Sequence, residues 1–251
     1  MAASYAPLLA ELASEIDPLL KDLEVYASAQ PPEDYSVLSE VEALRRTVDD
    51  AHLDTFHLVG YSGGWAVSLS FAARYPERLK SLALFEPANL PGARDDAERE
   101  NWGQLETGLA DLEPEPFLAA FTRLQVRAGS ELPAPRSGPT PDWMSLRPAG
   151  LRAMMRAFAA DDTDREWLRR CRFPVYLAYG LLTEEFMVHR VQVLAGLLPD
   201  LWIEAYPGVH HFGPPQRTQP AHYADALRQL WSRADRAEPG PTPEGDTTYA
   251  A

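Results

Sequence analysis

Residues Phe56–Pro87 read FHLVGYSGGWAVSLSFAARYPERLKSLALFEP. An apolar run, Phe56–Val59, turns through Gly60–Gly64 into a helical pattern from Trp65 to Tyr75, which Pro76 stops. A second apolar run, Leu79–Phe85, ends on Glu86–Pro87. Two short apolar runs separated by a helix predict parallel strands joined by a crossover. Ser62 stands at the apex of the turn between the first strand and the helix. A chain that reverses so sharply is crowded, and Gly60 and Gly64 are expected to relieve that crowding, with Gly63 loosening the turn further. The turn also sets the serine hydroxyl at a helix N-terminus, where amide N–H groups and the helix dipole favour developing negative charge.

Outward from this unit the pattern repeats. On the N-terminal side, Ser4–Ile16 reads as an amphipathic helix with Leu8, Leu9, Leu12 and Ile16 on one face, ended by Pro18. Leu19–Tyr26 reads as a short strand, and Ser36–Ala51 as a helix with Ser39 and Glu42 in a capping box. On the C-terminal side, Pro174–Tyr179 and Trp202–Tyr206 read as strands flanking a helix over Phe186–Leu198, and Pro220–Trp231 as the closing helix. Strands alternating with helices predict an α/β fold with a mostly parallel sheet covered on both faces. Residues 93–172 interrupt this alternation with Pro-rich and acidic stretches and helical pieces at Pro116–Val126 and Gly150–Ala160. Residues 237–251 are Pro/Gly-rich and polar and are expected to be a disordered tail.

Composition narrows the function classes. The 251 residues suffice for one core with an insertion, and 45% hydrophobic content suits a globular domain. A formal net charge of −14 argues against nucleic acid or an anionic membrane as partner. The first twenty residues have no basic segment and carry Glu11, Glu15 and Asp17, unlike a secretory signal, so a cytoplasmic location is expected. Cys171 is the single cysteine, which excludes an intrachain disulfide and a cysteine-based metal cluster.

A lone G-x-S-x-G is a weak signal; set between a strand and a helix it is a strong one. Together with VGYSGG and AARYPERLKSLALFEP, the stretches PVYLAYG at Pro174–Gly180 and PGVHHFGPP at Pro207–Pro215 resemble the α/β-hydrolase superfamily. The resemblance implies a core of residues 1–92 and 173–236, with residues 93–172 as a helical cap whose large apolar side chains, Met154 and Met155 among them, hold it together or line a substrate pocket.

It also implies chemistry. A serine hydroxyl needs a base within hydrogen-bond reach, and the base needs an acceptor that fixes its tautomer. Ser62 corresponds to the nucleophile. Of the pair after the last strand, His211, which precedes Phe212, corresponds to the base, and His210 falls beside it. The acid has two candidates. Glu86 ends the strand after the elbow, where some members carry the acid, and Glu184 follows Thr183, the position where an Asp is expected. Glu86 is preferred and Glu184 is the alternative. The Gly63 amide is the expected oxyanion donor. A carboxylate nucleophile, as haloalkane dehalogenation requires, is absent from the apex, while carbon–carbon bond hydrolysis and cofactor-free haloperoxidase chemistry use the same triad. The expectation is thus a serine hydrolase for a small ester or related acyl or carbonyl compound, without cofactor or metal.

The chain departs from the family upstream. No His-Gly dipeptide, the usual source of the second oxyanion donor, occurs, and Ser4–Ile16 corresponds to the helix after that loop. An N-terminally shortened hydrolase fold is therefore expected, with a hydrolase-like binding scaffold without turnover as the alternative. Shortening would also leave Phe56–Gly60 as an apolar sheet edge on which a homodimer could form.

Overall fold

A computed structural model describes residues 2–28, 30–87, 89–133 and 142–236; the expected tail at 237–251 lies outside the described residues. Four strands, β1 (Phe56–Tyr61), β2 (Leu79–Phe85), β3 (Val175–Gly180) and β4 (Leu201–Tyr206), form one parallel sheet in the order β1-β2-β3-β4. The helices are α1 (Ala6–Leu12), α2 (Val37–Asp50), α3 (Gly63–Arg74), α4 (Asp96–Leu109), α5 (Pro114–Leu124), α6 (Arg147–Ala159), α7 (Met187–Leu197), α8 (Pro215–Thr218) and α9 (Pro220–Arg236).

The period-2 alternation of strands sorts their side chains between two cores. Leu82, Leu84, Val175 and Leu177 pack with Val41 of α2, Trp65, Leu69 and Phe71 of α3, and Leu194 of α7. Ala83, Phe85, Tyr176, Ala178 and Tyr206 face the other way, onto Leu8 and Leu12 of α1 and Tyr223, Leu227 and Leu230 of α9. Leu82–Phe85 of β2 and Val175–Ala178 of β3, buried on both sides, read as continuous apolar runs for this reason. The helices α4, α5 and α6, all between β2 and β3, join the first core through Trp102, Phe117, Leu151 and Met154. No helix among the described residues is long and apolar enough to cross a membrane.

Three local expectations fail. Leu19–Tyr26 forms no strand: only Glu24–Tyr26 makes a single 3-10 turn, and Leu19 and Leu20 are exposed. The Val25 amide, which a strand would offer to a neighbour, donates instead to the buried Glu40 carboxylate at 3.2 Å. Second, the capping box of α2 is Ser36 with Ser39, whose amides and hydroxyls bond reciprocally at 3.0 and 3.1 Å, so the helix begins one turn before the expected box. Glu42 is released to accept from the Tyr75 hydroxyl at 2.6 Å. Third, the Ser4–Ile16 helix is broken: α1 spans Ala6–Leu12 between two 3-10 turns, with Ala13 at φ 38°. Leu8 and Leu12 are buried as the periodicity predicts.

Strand β1 is the sheet edge. Its side chains are half-buried, because Phe56 and Leu58 pack against the first core and Val59 and Tyr61 against the second. Between this edge and the segment Glu15–Lys21 lies a cavity of about 480 Å³, lined by Leu12, Leu44, Phe56, Leu58 and Trp231 among others.

Candidate active site

The C-terminal ends of β1 and β2, the loop after β3 and the loop after β4 meet at one point. Ser62 joins β1 to α3 with φ 55° and ψ −122°, a conformation that a side chain disfavours and that surrounding structure must impose. Its amide donates to the Phe85 carbonyl at 3.2 Å, and its carbonyl accepts from the Trp65 amide at 3.0 Å. Gly60 makes the turn feasible. A Cβ there would lie 2.5 Å from Ser68 Oγ and 2.9 Å from the Gly64 carbonyl oxygen, so the start of α3 presses directly on β1. Gly64, expected to relieve the same crowding, has nothing within 4 Å of where a Cβ would sit. The second crowded position is Gly63, where a Cβ would meet Met154 Sδ at 2.6 Å and Leu23 Cδ1 at 3.4 Å. Met154 of α6 and Leu23 therefore press on Gly63 at the head of α3.

His211, 2% exposed, reaches this point from the loop after β4. Its Nε2 is 2.9 Å from Ser62 Oγ and its Nδ1 is 3.3 Å from Glu86 Oε2. With the proton on Nδ1 the imidazole donates to Glu86 and keeps an Nε2 lone pair for the serine hydroxyl. The Tyr61 hydroxyl donates to the His211 carbonyl at 2.5 Å, and the Tyr61 and Phe212 rings flank the imidazole. Burial first, and the Glu86 charge second, push the Tyr61 phenol up, which keeps it a neutral donor. His210, by contrast, accepts the Phe212 amide on Nδ1 at 3.0 Å, and burial holds its imidazole below the ordinary histidine value.

Glu86 is fully buried and has φ 59°. Its Oε1 accepts from the Gly180 amide and from Thr183 Oγ1, both at 2.6 Å, which leaves Oε2 turned to His211. Glu184 is engaged elsewhere, by the Arg190 guanidinium and the Phe186 amide, and among the described residues no hydrogen bond joins it to His211. The structure thus brings Ser62, His211, Glu86 and Gly63 together and leaves Glu184 outside. Among the described residues no group of three or more His, Cys, Asp or Glu side chains is arranged to hold a metal ion.

Two contributors were not anticipated from sequence, Tyr61 and Thr183. Thr183 had a trace: it occupies the loop position where an acid was expected. Tyr61 had none, because its partner is the backbone of a residue 150 positions away.

The chain has the α/β-hydrolase fold. It is 16% identical to an esterase from Thermogutta terrifontis over 93% of this chain and 86% of that one, with a TM-score of 0.67. Among curated proteins it is 34% identical over 87 residues to a putative 2-succinyl-6-hydroxy-2,4-cyclohexadiene-1-carboxylate synthase of Bacillus subtilis, over 35% of this chain. It is 31% identical over 103 residues to a 2-hydroxy-6-oxo-2,4-heptadienoate hydrolase of Pseudomonas putida, over 40% of this chain. These matches span only 31% and 37% of the two relatives' own length. No family model matches the sequence.

Proposed function

We propose that this chain is a cofactor-independent serine hydrolase acting on a small ester or related acyl or carbonyl compound. The observation that carries the reading is the relay Ser62 Oγ, His211 Nε2, His211 Nδ1, Glu86 Oε2, with spacings of 2.9 and 3.3 Å. In this reading His211 takes the hydroxyl proton as Ser62 Oγ attacks the carbonyl carbon. The Gly63 amide, at the positive end of α3, stabilises the resulting oxyanion. His211 then gives the proton to the departing alcohol, and the acyl–serine ester is cleaved by a water that His211 deprotonates in turn. Glu86 holds the imidazole in the required tautomer and stabilises its charged form. The names of the two curated relatives point toward carbonyl substrates, and that of the Thermogutta terrifontis protein toward esters.

A second reading, a binding scaffold without turnover, is favoured by one observation: Met154 and Leu23 crowd the Cα of Gly63, the residue whose amide would serve the oxyanion. A fluorophosphonate probe separates the two. Labelling of the purified chain that is lost in Ser62→Ala and His211→Ala supports the hydrolase. An unlabelled parent chain rejects it.

A further inference from the structure

We infer that Thr183 is a positioning residue that sets the triad through Glu86; this rests on the hydrolase reading above. The Glu86 carboxylate is fully buried, and among the described residues its only ion-pair partner is His211. A buried carboxylate must find donors, or its charge is strongly disfavoured. Glu86 finds two on one oxygen, the Gly180 amide and the Thr183 hydroxyl. Because both converge on Oε1, they also fix the rotation of the carboxylate, and Oε2 has no other direction to face than His211 Nδ1.

The two donors differ in kind. Gly180 belongs to β3, whose pairing holds it, and a Cβ on Gly180 would lie 2.2 Å from the Val209 carbonyl oxygen, so this amide sits against the loop that carries His211. Thr183 lies in a loop and needs other restraints. It is 1% exposed, and its amide donates to the Gly180 carbonyl at 3.1 Å. It forms an antiparallel bridge with Val126, which follows α5. On either side of that bridge the Arg127 amide donates to the Leu182 carbonyl at 2.8 Å and the Glu184 amide to the Gln125 carbonyl at 3.4 Å. The segment Gln125–Arg127 thereby clasps the loop from outside and holds the hydroxyl on Glu86. An isosteric methyl in its place would leave Oε1 with one donor and the carboxylate free to turn.

The test compares Thr183→Val, which keeps the shape and removes the donor, with Thr183→Ser, which keeps the donor and removes a methyl group. The readouts are the rate of fluorophosphonate labelling of Ser62 and kcat and KM for p-nitrophenyl acetate, with thermal melting as the folding control. A hydrogen bond to a charged group predicts a fall in labelling rate and kcat of about ten- to hundredfold in Thr183→Val, with KM little changed. Thr183→Ser retains the parent kcat to within about threefold. If Thr183 serves packing alone, the order reverses, valine matching the parent and serine falling, and the proposal is overturned. Should valine destabilise the loop, Thr183→Cys, a weak donor of similar size, makes the same comparison: an intermediate rate supports the role, and the parent rate rejects it. An unlabelled parent chain defeats the hydrolase reading and the positioning role together; normal labelling in Thr183→Val defeats the positioning role alone.

Discussion

The Ser62 amide donates to the carbonyl of Phe85, the residue before Glu86, at 3.2 Å. This one bond sets the ends of β1 and β2 level, so that the serine and the carboxylate leave adjacent strands at the same height and receive His211 between them. Both residues have positive φ, 55° and 59°. Strained backbone of this kind costs about 1–3 kcal/mol per residue and persists where surrounding structure imposes it. Here the parallel pairing and the burial on both sides do so.

The proposed role of Glu86 as the acid has a direct consequence. Glu86→Gln should slow fluorophosphonate labelling by about 10²- to 10⁴-fold, the range over which positioned acid–base groups act. Glu184→Gln should stay within about twofold of the parent, because that side chain serves Arg190 rather than the imidazole. Equal losses in the two variants, measured as second-order labelling rates, would contradict the assignment.

Gly60 cannot carry a side chain without moving α3. Gly60→Ala should destabilise the fold by about 1–3 kcal/mol, the usual cost of overpacking, and lower the melting midpoint by about 2–4 °C for each kcal/mol. Gly64→Ala, at a position open to at least 4 Å, should be neutral or mildly stabilising in the same calorimetric scan.

Gly63 and Met154 should be coupled. Gly63→Ala alone places a methyl 2.6 Å from Met154 Sδ and should slow labelling. Adding Met154→Ala removes that contact, so the double variant should be more stable than the sum of the single effects by about 0.5–3 kcal/mol. Strict additivity in urea denaturation would show that α6 does not press on the turn.

Glu40 supplies a pH signature. Burial raises the pKa of its carboxyl above the ordinary glutamate value, against which hydrogen bonds from the Glu24 and Val25 backbone and the Lys21 charge act in the opposite direction. The folded chain therefore binds this proton at a higher pH than the unfolded chain does. Between its folded value and the ordinary value near 4.5, this group's contribution to stability should rise as pH falls. Glu40→Gln should lack that contribution, so the difference in unfolding free energy between parent and variant should shift in the parent's favour on acidification. A difference independent of pH would refute the argument.

Cys171 should be inert. Its side chain is 1% exposed and burial pushes the thiol up to about 12. A thiol-reactive disulfide reagent should leave the native protein untouched and react with one equivalent after unfolding in urea.

Legibility from sequence followed the range of the interactions. The strand, turn and helix around Ser62 were readable because apolar periodicity and turn glycines act over a few residues. His211 was readable over its neighbour His210 through resemblance alone, and geometry adds the reason: His210 is turned to the Phe212 amide. Leu19–Tyr26 was misread because its local pattern suits a strand, yet Val25 finds its partner in the Glu40 side chain. The capping box was misplaced by one turn because Ser36 and Ser39 are both competent caps, and the choice depended on where the chain enters α2.

By itself the sequence determined the parallel α/β arrangement, the serine at the apex of a strained turn and the helix that follows it, since periodicity and backbone sterics are local properties. The tertiary structure decided which carboxylate faces the imidazole, what holds that carboxylate still, and what lies over Gly63. Ser62 and His211 are 149 residues apart in the chain, and Glu86 and Thr183 are 97 apart. Only the register of the sheet brings such groups within hydrogen-bond distance, and no local pattern records that register.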